Sequence, residues 1–92
     1  MKFATADLFD NHADELEVCA PIFLDFGGHT NFYGPIRTLK VFENFGITKS
    51  TLATNGKGHV LVIDGGGSLR CAMLGDKLAQ LAIDHNWKGI LI

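Results

Sequence analysis

The sequence predicts an α/β domain, in which strands alternate with helices. Three observations carry this reading. Residues 59–63 (HVLVI) are a β-branched, continuously apolar run, the pattern of a central strand covered on both faces. Residues 76–85 place Leu78, Ala79, Leu81, Ala82 and His85 at helical spacing, the apolar stripe of a helix packed on one side. Residues 89–92 (GILI) then open another apolar strand.

The remaining elements follow in order. Thr5 can cap a short helix running from Ala6 to His12, with Asp7 favourably placed in its first turn. Residues 21–26 (PIFLDF) are apolar and end at Gly27-Gly28; local pattern leaves strand and turn open. Residues 34–42 (GPIRTLKVF) alternate, with Ile36, Thr38, Lys40 and Phe42 on one face and Arg37, Leu39 and Val41 on the other. That pattern predicts a strand partly buried on both sides. Residues 47–54 (ITKSTLAT) suit a short helix closed by Asn55-Gly56. Gly65-Gly66-Gly67 ends the central strand in a tight turn. The chain stops inside an apolar strand at Ile92, which predicts truncation on the C-terminal side of a single domain spanning residues 1–92.

Composition bounds the function. With 47% hydrophobic and 20% charged residues the chain is of ordinary globular make-up, so disorder is disfavoured. Eight Lys and Arg against ten Asp and Glu give a net charge of −2, which leaves no basic excess for direct nucleic-acid binding. No apolar run approaches the roughly 20 residues of a membrane span, and Asp7 comes too early for a signal peptide. These features predict a cytoplasmic protein with no membrane contact. Cys19 and Cys71 lack metal-site spacing and read as reduced, mostly buried thiols.

Most motifs for chemistry fail. In a dinucleotide fingerprint begun at Gly65, the third glycine would fall at Arg70. A phosphate loop ending at Gly56-Lys57 would need glycine where Thr51 stands. Ser68 has no evident His or Asp partner and reads as a turn hydroxyl. His12, His29, His59 and His85 form no i, i+4 pair, and Trp87 reads as a packing anchor. What remains is Gly75, Asp76, Lys77 and Leu78 at a helix start. Unpaired backbone amides and the helix dipole favour an anion there, and Gly75 allows close approach. On spacing alone Asp76 reads first as a helix-start device, with the holding of a hydrated cation as the alternative. Asp64, at a strand's carboxyl end, suits a ligand, although a turn-forming role outweighs it.

The run Val60-Leu61-Val62-Ile63-Asp64-Gly65-Gly66-Gly67-Ser68-Leu69-Arg70, then Ala72-Met73-Leu74-Gly75-Asp76 and Leu78-Ala79, closely resembles one family. It is that of the regulator of ribonuclease E activity A, shared with the class II 4-hydroxy-4-methyl-2-oxoglutarate aldolases. Phe26-Gly27-Gly28, Phe42-Glu43-Asn44, Asn55-Gly56-Lys57-Gly58 and Trp87-Lys88-Gly89-Ile90 agree in the same register. The resemblance covers nearly all of this chain and the N-terminal part of the family's longer chains.

The resemblance implies a layered sheet-and-helix domain like the swivelling β/β/α folds, assembled as a homotrimer. It implies a metal-dependent aldolase for 4-hydroxy-4-methyl-2-oxoglutarate or 4-carboxy-4-hydroxy-2-oxoadipate that also decarboxylates oxaloacetate. The aldolase motif is an Asp, a fixed spacer, then an Arg-Asp pair. Asp76 matches the first Asp; the pair, substrate arginine and metal-ligating aspartate, falls beyond Ile92. The resemblance thus makes Asp76 the catalytic candidate and Gly75, Asp76, Lys77 and Leu78 the segment that receives a small 2-oxo acid. No direct metal ligand is expected within the 92 residues, although Mg²⁺ or Mn²⁺ is the implied cofactor. The same resemblance carries an alternative, a regulator that binds and inhibits ribonuclease E (RNase E). Retention of Gly75-Asp76 favours the aldolase.

Overall fold

The computed structural model describes residues 5–29, 31–67 and 74–92. The chain divides into two compact units, Met1–Phe32 and Tyr33–Ile92. In the first, helix α1 (Thr5–His12) runs into a short 3₁₀ turn at Ala13–Glu15. Asp7 lies in the first turn of α1 and His12 in its last, each at the end that the helix dipole favours. Residues 21–26, left open between strand and turn, are neither helix nor strand. Cys19, expected buried, is instead exposed and free, because no regular element of this unit folds over that stretch. Cys71 lies outside the described residues.

The second unit holds strands β1 (Ile36–Lys40), β2 (Val60–Asp64) and β3 (Gly89–Leu91), with helices α2 (Phe45–Leu52) and α3 (Asp76–Asp84) between them. All strand pairing is parallel and the order is β1-β2-β3. Each strand therefore connects to the next through a helix, giving two successive βαβ units. The register sets Arg37 beside Leu61 and Leu61 beside Ile90, with Leu39 beside Ile63.

The apolar run of residues 59–63 is the central strand, as its pattern predicts. Leu61 is fully buried and Ile63 nearly so. With Leu39, Val41 and Ile90 they form the sheet's contribution to the core, facing Leu52 of α2 and Leu78, Leu81 and Ala82 of α3. On the opposite sheet face Val60 is buried and Val62 half-buried, so the central strand is covered on both sides, but β1 is not. Ile36 there is 67% exposed, and Thr38 and Lys40 are exposed. This corrects the expectation that β1 is partly buried on both sides. It is an edge strand, and both helices pack on its Leu39 and Val41 face.

Helix α2 begins two residues earlier than its pattern suggested. Asn44 is the cap, its Oδ1 accepting the Gly46 N–H at 3.0 Å. Trp87 is the anchor expected of it. It is buried, and its indole N–H is shared between the carbonyls of Leu52 and Thr54, 3.2 Å from each. These bonds join the end of α2 to the loop before β3. Among the described residues no helix is long and apolar enough to cross a membrane.

Candidate functional site

Parallel βαβ topology places helix starts and strand carboxyl ends on one edge of a sheet, where ligands of open α/β sheets bind. Here that edge carries the loop after β1, the glycine turn after β2 and the first turn of α3. The two loops are tied together. The Val41 N–H donates to the Asp64 carbonyl at 2.8 Å. Asp64 Oδ1 accepts the Gly66 N–H at 3.0 Å, so Asp64 forms the turn rather than standing free. Gly66 has φ of 70°, and a Cβ on it would lie 2.7 Å from Cδ1 of Phe42. Glycine is required there both for the backbone conformation and for the approach of the Phe42 ring.

Helix α3 opens at Asp76 with Gly75 as its cap residue, φ −110° and ψ −179°, and no side-chain cap bond. Gly75, Asp76 and Lys77 are exposed. Leu78 is half-buried and packs against the core. A Cβ at Gly75 would meet nothing within 4 Å. Of the four residues singled out by sequence, Gly75, Asp76 and Lys77 are exposed at the helix start and Leu78 packs inward. The Lys77 amide is already engaged, donating to Asp76 Oδ1 at 2.9 Å. Asp76 thus performs the helix-start role considered for it, and its carboxylate remains exposed. Ser68 lies outside the described residues. His59 and His85 turn Nδ1 onto backbone carbonyls of Gly56 and Leu81, 2.8 and 2.9 Å away, which accounts for both as structural histidines. Among the described residues no three His, Cys, Asp or Glu gather closely enough to hold a metal.

Sequence reasoning did not single out the Phe42–Gly66 contact. The three consecutive glycines signalled a tight turn, but nothing local reveals which ring covers it.

Comparison with known proteins now decides the family. The profile of the RraA-like family (Aldolase/RraA) matches residues 5–92. The chain belongs to the RraA-like family. A protein of Alkalilimnicola ehrlichii named "Putative 4-hydroxy-4-methyl-2-oxoglutarate aldolase" is 49% identical over all 92 residues, which span 57% of its length. One of the same name from Laribacter hongkongensis is 50% identical, with 58% of its length covered. This RraA-like chain thus spans somewhat over half of these relatives.

Solved structures agree on the fold. The RNA-processing inhibitor RraA from Thermus thermophilis superposes with a TM-score of 0.90 at 43% identity, over 98% of this chain and 54% of that one. A structure titled S-adenosylmethionine:2-dimethylmenaquinone methyltransferase, from Geobacillus kaustophilus, also gives 0.90, at 46% identity, over 96% and 55%. One RraA-like fold therefore carries three functional names, and the choice among them rests on the site.

Proposed function

We propose that this RraA-like chain belongs to a lyase that cleaves 4-hydroxy-4-methyl-2-oxoglutarate or 4-carboxy-4-hydroxy-2-oxoadipate, releasing pyruvate, and that decarboxylates oxaloacetate. The observation that carries the reading is the exposed Gly75-Asp76 start of α3 on the sheet's carboxyl edge, in a chain about half identical to proteins of that aldolase name.

The chemistry needs an anion cradle, a proton route and charge stabilisation at an oxygen. The amides of Asp76 and Leu78, in the first turn of α3, suit the substrate carboxylate, with the helix dipole adding attraction. Gly75 leaves the approach unobstructed. In the retro-aldol step the 4-hydroxyl loses its proton and the C3–C4 bond breaks. The electron pair forms the pyruvate enolate, which takes a proton at C3. The Asp76 carboxylate, exposed beside the cradle, can hold the water that delivers that proton.

The described residues fit a divalent cation only in part. Asp76 offers one exposed hard oxygen, which suits Mg²⁺ or Mn²⁺, ions that keep several waters and take few carboxylates. When bound, the cation supplies a Lewis acid at the keto and carboxylate oxygens.

The test is pyruvate release from 4-hydroxy-4-methyl-2-oxoglutarate with Mg²⁺, comparing the full-length protein with its Asp76→Asn form. Loss of a positioned proton-transfer group is expected to lower kcat by about 100-fold or more, with unchanged thermal unfolding. A kcat within twofold of the parent, taken as roughly the resolution of such an assay, overturns the role of Asp76. The likeness to the RNA-processing inhibitor supports a second reading, a regulator that binds ribonuclease E. That reading requires binding that survives Asp76→Ala, and absence of binding by the parent protein removes it.

A further inference from the structure

We propose that the amino edge of the sheet, opposite the Asp76 site, holds a second binding site, for a small organic dianion such as a dicarboxylate. A depression of about 560 Å³ lies there, lined by Asn55, Lys57, Gly58, Ile83, Asn86, Trp87 and Lys88. Its charge is one-sided. Lys57 and Lys88 bring two ammonium groups and no carboxylate lines it. Neither lysine has an ion pair among the described residues, and the nearby Asp84 carboxylate accepts from Gln80 Nε2 at 2.9 Å. A third cation is close, since the Arg37 guanidinium lies 5.5 Å from the Trp87 ring centroid.

Lysines near helix ends often serve to neutralise the terminal carbonyls. Here carbonyls at and just past the helix ends have other partners. The Gly56 N–H donates to His85 O at 2.7 Å and the Gly58 N–H to Asn86 O at 2.8 Å. The Trp87 indole takes Leu52 O and Thr54 O. The lysines' two full charges outweigh the negative helix ends, which carry only about half a charge each, so the depression favours an anion.

Hydrogen bonds tie the walls together. Lys88 N–H donates to His59 O at 2.9 Å, and Asn86 Nδ2 reaches Asn55 Oδ1 at 3.4 Å. Lys57 and Asn86 hold φ of 51° and 66°; at Asn86 the left-handed residue follows the C-cap His85 and ends α3. Ile83 and Trp87 add apolar wall that a bare inorganic anion does not need. Two cations, two side-chain amides and a partly apolar floor together match a carbon skeleton bearing two carboxylates.

Trp87 lines the depression, and its emission is assigned by difference from the Trp87→Phe form. Succinate titrated into the full chain at constant ionic strength is expected to change the Trp87 emission saturably. The Lys57→Met/Lys88→Met form is expected to bind at least tenfold more weakly while unfolding at the same temperature. Asp76→Asn is expected to leave the titration unchanged, which separates this site from the proposed cradle. The absence of a saturable change, its survival in the double lysine variant, or an equal response to inorganic phosphate overturns the proposal. Lys88→Glu gives an independent check, since charge reversal must abolish the response.

Discussion

Two glycines at the carboxyl edge differ in what they are for. Gly75 adopts an extended conformation open to any residue, and a Cβ there meets nothing within 4 Å. Gly75→Ala is therefore expected to change stability by no more than about 0.5 kcal/mol. In the proposed cradle the added methyl intrudes on the ligand's approach, so KM for the oxo acid is expected to rise several-fold while the melting temperature holds. Gly66 is the reverse case, with a left-handed φ and the Phe42 ring against it. Gly66→Ala is expected to cost about 1–2 kcal/mol, read as a lower urea midpoint. The sequence made Gly75 and Asp76 visible because a glycine before an acid at a helix start is a local signal. The engagement of the Lys77 amide by Asp76 was not visible, since it depends on a side-chain rotamer rather than on residue order.

At the scale of elements, α2 carries an unusual burial. Thr48 is fully buried one turn before Leu52, and its hydroxyl has no hydrogen-bond partner among the described residues. Ser50 and Thr51 in the same helix instead donate to the carbonyls of Gly46 and Ile47, at 2.8 and 2.9 Å. Thr48→Val keeps the shape and removes the unpaired hydroxyl. It is expected to stabilise the fold by about 1 kcal/mol, measured by denaturant unfolding. Where α2 meets β3, a Cβ on Gly56 would lie 2.6 Å from Cγ of Trp87. Gly56→Ala is expected to destabilise by about 1–3 kcal/mol through overpacking. β2 and α3 were legible from a continuous apolar run and from an apolar stripe at helical spacing, β3 from its short apolar run and β1 only from its alternation. The start of α2 was not, because Phe45-Gly46 lacks helical patterning and the deciding contact is one bond from Asn44. The one-sided exposure of β1 was hidden for another reason. An alternating strand states which residues share a face, but not that the helices of the unit pack on the Leu39 and Val41 face alone.

The two βαβ units separate the second unit's chemistry onto opposite edges. Helix starts and the exposed Asp76 share one edge, and the lysine-lined depression lies at the other. The family's aldolase motif adds an Arg-Asp pair after Asp76, and residues 77–92 contain no arginine. Oxaloacetate decarboxylation tests what that implies, because it passes through the same pyruvate enolate with fewer bonds to break. The amides of α3 can seat the carboxylate, but the developing oxygen charge then lacks a fixed cation from these residues, and preorganised charge is commonly the largest catalytic contribution. A polypeptide of residues 1–92 alone is therefore expected to release pyruvate from oxaloacetate at the rate of Mg²⁺ in buffer, with or without Asp76→Asn. A rate above that background, abolished by the substitution, would show that the edge around α3 suffices for the chemistry. The arginine would then have to be assigned to substrate affinity rather than to the bond-breaking step.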